Sequence, residues 1–238
     1  MVKKINTKFV KLIKYYSLIN NNLIYENEAI NRYKINSNLA IKGSKGKELQ
    51  GLKQTISNIK NCELKNNSKN IVFSDGNPNS KIMIVGEGPG ANEDLEGVPF
   101  IGKTGELLDK MLLSINLNRD NVYITNVVNY RPPENRNPTK EEIAKYLPYL
   151  NKHIEIIDPK ILILLGNSAL NAVIGDEQKI SKIRGNWIDK KIGKCNTCVI
   201  VSFHPAFLMR QPDQKAMSWI DLKMIRKKIS DLKIKIER

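Results

Sequence analysis

The chain has 238 residues, 41% of them hydrophobic, with 39 basic against 24 acidic side chains and a net charge of +15. That length can bury a real core, and no apolar run approaches the roughly 18 residues of a membrane span. The start "MVKKINTKFVKLIKYY" has no apolar stretch followed by a small-residue cleavage site, so neither a membrane nor a secreted protein is expected.

Three cysteines fit a reducing cytoplasm better than a disulfide framework. The charge is uneven. Residues 1–60 carry 12 basic and 3 acidic side chains, residues 210–238 carry 9 and 4, and the middle is left with 18 and 17. Basic ends around a near-neutral middle fit a polyanionic partner, most simply nucleic acid. Abundant Lys, Asn and Ile fit compositional drift as well, and both readings stand at this point.

In chain order, residues 1–50 read as a basic helical extension ("FVKLIKYYSLI") and an Asn- and Lys-rich linker, with one domain expected over 51–238. "ELQGLKQTISNIKNCEL" has helical spacing, apolar at Leu49, Leu52, Ile56 and Ile59. Strand "KIMIVG" (81–86) leads through a Gly-rich loop to a helix over 104–115. Strand "NVYITNV" (121–127) leads through "RPPENRNP" to a helix over 140–157. Strand "KILILLG" (160–166) runs straight into "NSALNAVIG". Then "NWIDKKIGKCNTCVIVSF" reads as a hairpin ending at "HPAFLMRQP", and a last helix covers about 214–233. Strands alternating with helices predict an α/β three-layer sandwich, a central four-stranded mainly parallel sheet flanked by helices. Ligands of such sheets sit beyond the carboxyl ends of the strands. "GEGPG", "TNVVNYRPPENR" and "SFHPAFLMR" are therefore expected to face one cleft.

Gly86, Gly88 and Gly90 allow a flat ligand to approach the backbone, and Glu87 among them would repel phosphate. Phe100, in "VPFIG", is either a stacking platform or a core residue. Asn126 ends a strand, where asparagine is a poor strand former. Its amide offers an acceptor and two donors to a base edge, or caps the next loop. His204, stiffened by Pro205, can donate a hydrogen bond to charge developing on a leaving group. His153, inside a helix, reads as a surface or core residue. No Ser-His-Asp arrangement and no HExxH spacing occurs.

Taken in order, "GEGPGANEDLEGVPFIGKTG", "VYITNVVNYRPPENRNP", "LLGNSA" and "HPAFLMRQP" resemble the family-four-type uracil-DNA glycosylases, from about Cys62 to the last helix. The resemblance implies a monofunctional glycosylase that removes uracil from DNA by hydrolysing the N-glycosidic bond, in base-excision repair. It implies that Gly86, Glu87 and Gly88 line the pocket, with Glu87 orienting the water, and that Phe100 stacks on uracil. Asn126 would accept from N3–H and donate to O4, and His204 would hydrogen-bond O2. Glu93 and Asn135 would support the pocket, Leu208 would fill the vacated base stack, and Lys103, Arg184 and Arg210 would contact phosphates. The implied partner is uracil-containing DNA, single- or double-stranded, met by a cytoplasmic monomer. The alternatives are a glycosylase for another base, such as hypoxanthine or mismatched thymine, and a non-catalytic uracil-DNA binder. Gly90, where a bulky side chain would screen the 5-position of the base, leaves the first open.

Typical members of that family hold a four-iron cluster on four cysteines. The corresponding positions here are Ile59, Cys62, Tyr130 and Tyr146. With one thiol of four, no cluster and no other cofactor is expected, and Ile59, Tyr130 and Tyr146 should fill the volume with packed side chains. Cys195 and Cys198 form a CxxC without a second pair, expected to be reduced thiols and not a metal site.

Overall fold

A computed structural model describes residues 44–175 and 178–236. The helix expected within "FVKLIKYYSLI" lies outside them. Helix α1 (Ser44–Ser57) spans the boundary drawn at residue 50, and its Leu49, Leu52 and Ile56 enter the same core as the sheet. A short α2 (Glu63–Asn66) follows, then strand β1 (Asp75–Gly76) and strand β2 (Ile82–Gly86). Helices α3 (Ala91–Glu96) and α4 (Gly102–Leu113) lead to β3 (Tyr123–Asn126), α5 (Lys140–Ile157), β4 (Ile161–Leu165) and α6 (Asn167–Val173). The chain continues through α7 (Ile180–Ile183), β5 (Trp187–Ile192), β6 (Cys195–Ser202), α8 (Pro205–Arg210) and α9 (Lys215–Asp231).

The sheet has six strands in the order β1-β3-β2-β4-β6-β5, two more than the four expected. The four inner strands are the parallel ones, with β1 and β5 added antiparallel at the edges. β1 is only two residues, Asp75 opposite Ile124 and Gly76 opposite Tyr123, so it has no hydrophobic period of its own. β2 and β4 are buried at every position, as strands covered on both faces must be. Alternation splits their side chains between two cores. Met83, Val85, Leu162, Leu164, Val199 and Val201 pack with α1, α5 and α6 on one face. Ile82, Ile84, Ile161, Ile163, Leu165 and Ile200 pack with α4, α8 and α9 on the other.

Helix α5 shows how local chemistry sets an element. The Thr139 hydroxyl accepts from Glu142 N–H at 3.2 Å while the Glu142 carboxylate accepts from Thr139 N–H at 2.7 Å, a reciprocal cap. The helix ends where Asp158 turns left-handed (φ 50°) and returns its N–H to Ile154. On its buried side, His153 takes the Tyr123 hydroxyl at 2.7 Å and stacks on Phe73. Burial pushes its pKa down to about 3, so it is a neutral core residue.

The two thiols of the CxxC diverge. In a strand, positions three apart point to opposite faces. Cys195 lies 1% exposed in the α5 core, and Cys198 looks the other way, its Sγ 3.1 Å from Asp189. Among the described residues no group of three or more His, Cys, Asp or Glu side chains is placed to hold a metal ion. None of their helices is long and apolar enough to cross a membrane.

Candidate active site at the carboxyl edge of the sheet

The three loops beyond β2, β3 and β6 meet. Val127 N–H donates to Gly86 O at 2.9 Å and Val128 N–H to Glu87 O at 3.2 Å, tying the first loop to the second. A Cβ on Gly88 would fall 2.8 Å from Val128. One on Gly86 would overlap both the Phe100 ring and the Asn126 amide oxygen, so only glycine lets those two side chains close over the strand end.

Phe100 is 4% exposed and lies against His204, ring centroids 5.4 Å apart at 30°. Its backbone is left-handed (φ 54°), a conformation costing a bulky residue on the order of 1–3 kcal/mol. The turn is held at three consecutive residues. Arg119 donates from Nη1 to Pro99 O at 3.2 Å and from Nη2 to Phe100 O, and the Glu93 carboxylate is hydrogen-bonded by the backbone at Ile101. Asp75 and Asp109 grip Arg119 in turn, at 2.6 and 2.9 Å.

His204 is the residue before α8 and caps it. Its Nδ1 accepts from Ala206 N–H at 3.2 Å, and Pro205 fixes the first turn. With Nδ1 committed as acceptor, the neutral ring carries its proton on Nε2, a donor with no acceptor among the described residues. Burial, and then the Arg210 cation, push its pKa down to about 4. Gly166 (φ 89°) gives the ring room, for a Cβ there would sit 3.2 Å from that of His204. The preceding Ser202 is anchored by its hydroxyl to buried Asp221 at 2.7 Å.

Asn126 is 4% exposed, and no other described residue hydrogen-bonds its carboxamide. Glu87 is half-buried and accepts from the Ser168 hydroxyl at 2.5 Å. Ser168, in the second position of α6, had no role in the sequence reading although "LLGNSA" was among its motifs. Nothing local marks a serine 81 positions away as a partner of Glu87. Arg119 was missed for the same reason. A hydrogen bond to a charged group contributes about 1.5–3 kcal/mol, so Ser168→Ala should slow turnover at this site about tenfold in single-turnover kinetics. An unchanged rate would show that the held rotamer of Glu87 does not matter.

The other expected site residues fall into three groups. Lys103, at the start of α4, and Arg210, at the end of α8, are exposed at this edge. Glu93 acts through the main chain: it accepts from Gly90 N–H at 3.1 Å, capping α3, and a Cβ on Gly90 would lie 2.7 Å from its carboxylate. Burial raises its pKa against those backbone bonds. Asn135 is exposed and takes Arg131 Nε at 2.8 Å.

Arg184 and Leu208 are both held within the fold. The Arg184 side chain is 10% exposed, paired with Asp221 at 2.6 Å and laid over Phe203, the neighbour of His204. Leu208 is 1% exposed in the α9 core. The exposed apolar side chain of that helix is its neighbour Met209, at 42%.

Ile59, Cys62, Tyr130 and Tyr146 are all buried in one core. Cys62 Sγ and the Tyr146 hydroxyl are 3.3 Å apart, and burial pushes both phenols above their ordinary pKa. One thiol among a methyl-bearing and two phenolic side chains does not fit a four-cysteine cluster.

The family model of the uracil DNA glycosylase superfamily matches residues 73–227. The type-4 uracil-DNA glycosylase of Thermotoga maritima is 45% identical over 150 residues, covering 63% of this chain and 77% of that protein. That of Sulfurisphaera tokodaii is 39% identical over 183 residues, 75% of this chain and 83% of that one. That of Pyrobaculum aerophilum is 38% identical over 181 residues, covering 74% and 92%.

Proposed function

The chain belongs to the uracil DNA glycosylase superfamily, and from that premise we infer that it hydrolyses the N-glycosidic bond of deoxyuridine in DNA, releasing uracil in base-excision repair. One observation carries the reading to this chain. A platform (Phe100), a buried amide without a hydrogen-bond partner among the described residues (Asn126), a neutral imidazole donor (His204) and a held carboxylate (Glu87) converge on one strand edge.

The base must leave the stack to reach such a recessed site, at a cost of a few kcal/mol that is least in single strands. Uracil then lies on Phe100. The Asn126 oxygen accepts from N3–H and its NH₂ donates to O4, a pattern that cytosine, with an acceptor at N3 and a donor at N4, inverts. As the C1′–N1 bond lengthens, its electron pair moves into the base and negative charge builds on O2. His204 Nε2–H meets that charge without itself needing to ionise, which suits a pKa of about 4. Glu87, fixed by Ser168, holds the water that adds to the oxocarbenium-like sugar and takes up its proton. No lysine nucleophile is needed. Met209, not Leu208, is the side chain to fill the vacated stack, and exposed Lys103 and Arg210 meet phosphates.

Every pocket group named comes from one chain, which fits a monomer acting on single- or double-stranded DNA. The three free thiols fit the cytoplasm. The enzyme works without an iron–sulfur cluster, because its ligand positions hold one thiol.

The test is uracil release from a labelled oligonucleotide by chelator-treated protein, scored by alkaline cleavage of the abasic site alongside iron and sulfide assays. Turnover with no stoichiometric iron is the expected result. Binding without cleavage would make the chain a uracil sensor, and stoichiometric iron and sulfide would overturn the cluster-free reading.

A further inference from the structure

We propose that Arg119 is a positioning residue for this reaction, acting through the Phe100 platform. The inference rests on uracil being the stacked ligand. Arg119 comes from the turn before β3 and reaches Phe100 through its backbone carbonyl. Its guanidinium joins four things: the carbonyls of Pro99 and Phe100, the β1 residue Asp75 and the α4 residue Asp109.

Those contacts select a conformation and not just a location. Phe100 is left-handed, so its carbonyl points away from the course an extended chain would take. That oxygen lies between Arg119 Nη2 and the backbone of Gly105, where any Cβ would overlap it. Relaxing Phe100 to an ordinary φ would swing the carbonyl out of this slot and turn the ring off the Gly86 and His204 surfaces. Two carboxylates bind the fork, Asp75 at Nη1 and Asp109 at Nε. Their side chains remain 24% and 43% exposed, and that of Arg119 is 21% exposed, so the clamp is reachable by small solutes. Lysine cannot replace it, since a point ammonium lacks the planar fork needed to serve carbonyls and carboxylates together.

The experiment is a double-mutant cycle in the full chain with Arg119→Ala, Phe100→Ala and both together, read by single-turnover cleavage of a uracil oligonucleotide and by inhibition with free uracil. A displaced catalytic group costs about 10- to 100-fold. Arg119→Ala is expected to lose that much in kcat/KM and to weaken free-uracil inhibition by a similar factor. Added to Phe100→Ala, it should cost no more than about twofold, because both changes remove one platform. Millimolar guanidinium, too dilute to act as a denaturant, should restore part of the Arg119→Ala rate, whereas a merely weakened fold would show no rescue. Losses that multiply, or unchanged inhibition by uracil, would overturn the proposal. If Arg119→Ala does not fold, Asp109→Ala, which removes one arm of the clamp, takes its place in the same cycle. An inactive wild-type chain would instead refute the glycosylase reading itself.

Discussion

His204→Ala should slow single-turnover uracil release by about a hundred- to a thousandfold, the usual cost of losing one donor to a developing oxyanion. The fold should survive. The imidazole makes one cap bond to Ala206, and losing a cap costs about 1 kcal/mol, a few degrees in melting temperature. The wild-type pH profile gives an independent reading. Folding lowers the His204 pKa from 6.5 to about 4, so the ring stays neutral in the folded protein where a free imidazole would already be charging. Below about 4 a proton on Nδ1 opposes the Ala206 N–H and releases the ring from its aim. The rate should therefore be insensitive to this group from pH 8 to 5, and its acid limb should centre near 4. The same shift makes the folded state poorer in protons than the unfolded one between those values. Stability from this group is present above pH 6.5 and is lost as pH falls towards 4. A limb centred near 6.5 would place His204 in open solvent and outside the pocket.

Asn126→Ala is expected to be as damaging, through recognition and not through charge. A site built to hydrogen-bond its ligand discriminates by about 10⁴ when partners go unmatched. Alanine removes both of the bonds to the base edge, so cleavage should fall about a thousandfold. The preference for uracil over cytosine should fall with it, since the group that cytosine mismatches is gone. Melting temperature should hold, because no described residue depends on the carboxamide. Cleavage of paired uracil and cytosine substrates by the variant and the wild type measures both effects. A slow variant that keeps full discrimination would move base reading to another residue.

What was legible in the sequence was what neighbours in the chain decide. The apolar runs of β2 and β4 and the limits of α5, with Thr139 and Glu142 capping its start, follow from periodicity and short-range bonds. The convergence of three loops followed from parallel topology. The phase of a short helix did not: Leu208 and Met209 are adjacent, equally apolar and oppositely placed, and only packing against α9 tells them apart. Arg184 looks like any basic side chain until Asp221, 37 positions on, claims it. β1 exists only because β3 offers it an edge. The groups that orient Glu87 and Phe100 were invisible for one reason, the 81, 44 and 19 positions separating the members of each pair.

The contact between Cys62 and Tyr146 bears on how the protein comes into being. A domain pinned by an inorganic cluster completes its fold only after delivery of iron and sulfide, and metal-dependent domains lose their structure when the metal is withdrawn. Here the same volume is closed by side chains that arrive with the polypeptide itself. The packing of Ile59, Cys62, Tyr130 and Tyr146 against one another draws on nothing but the polypeptide.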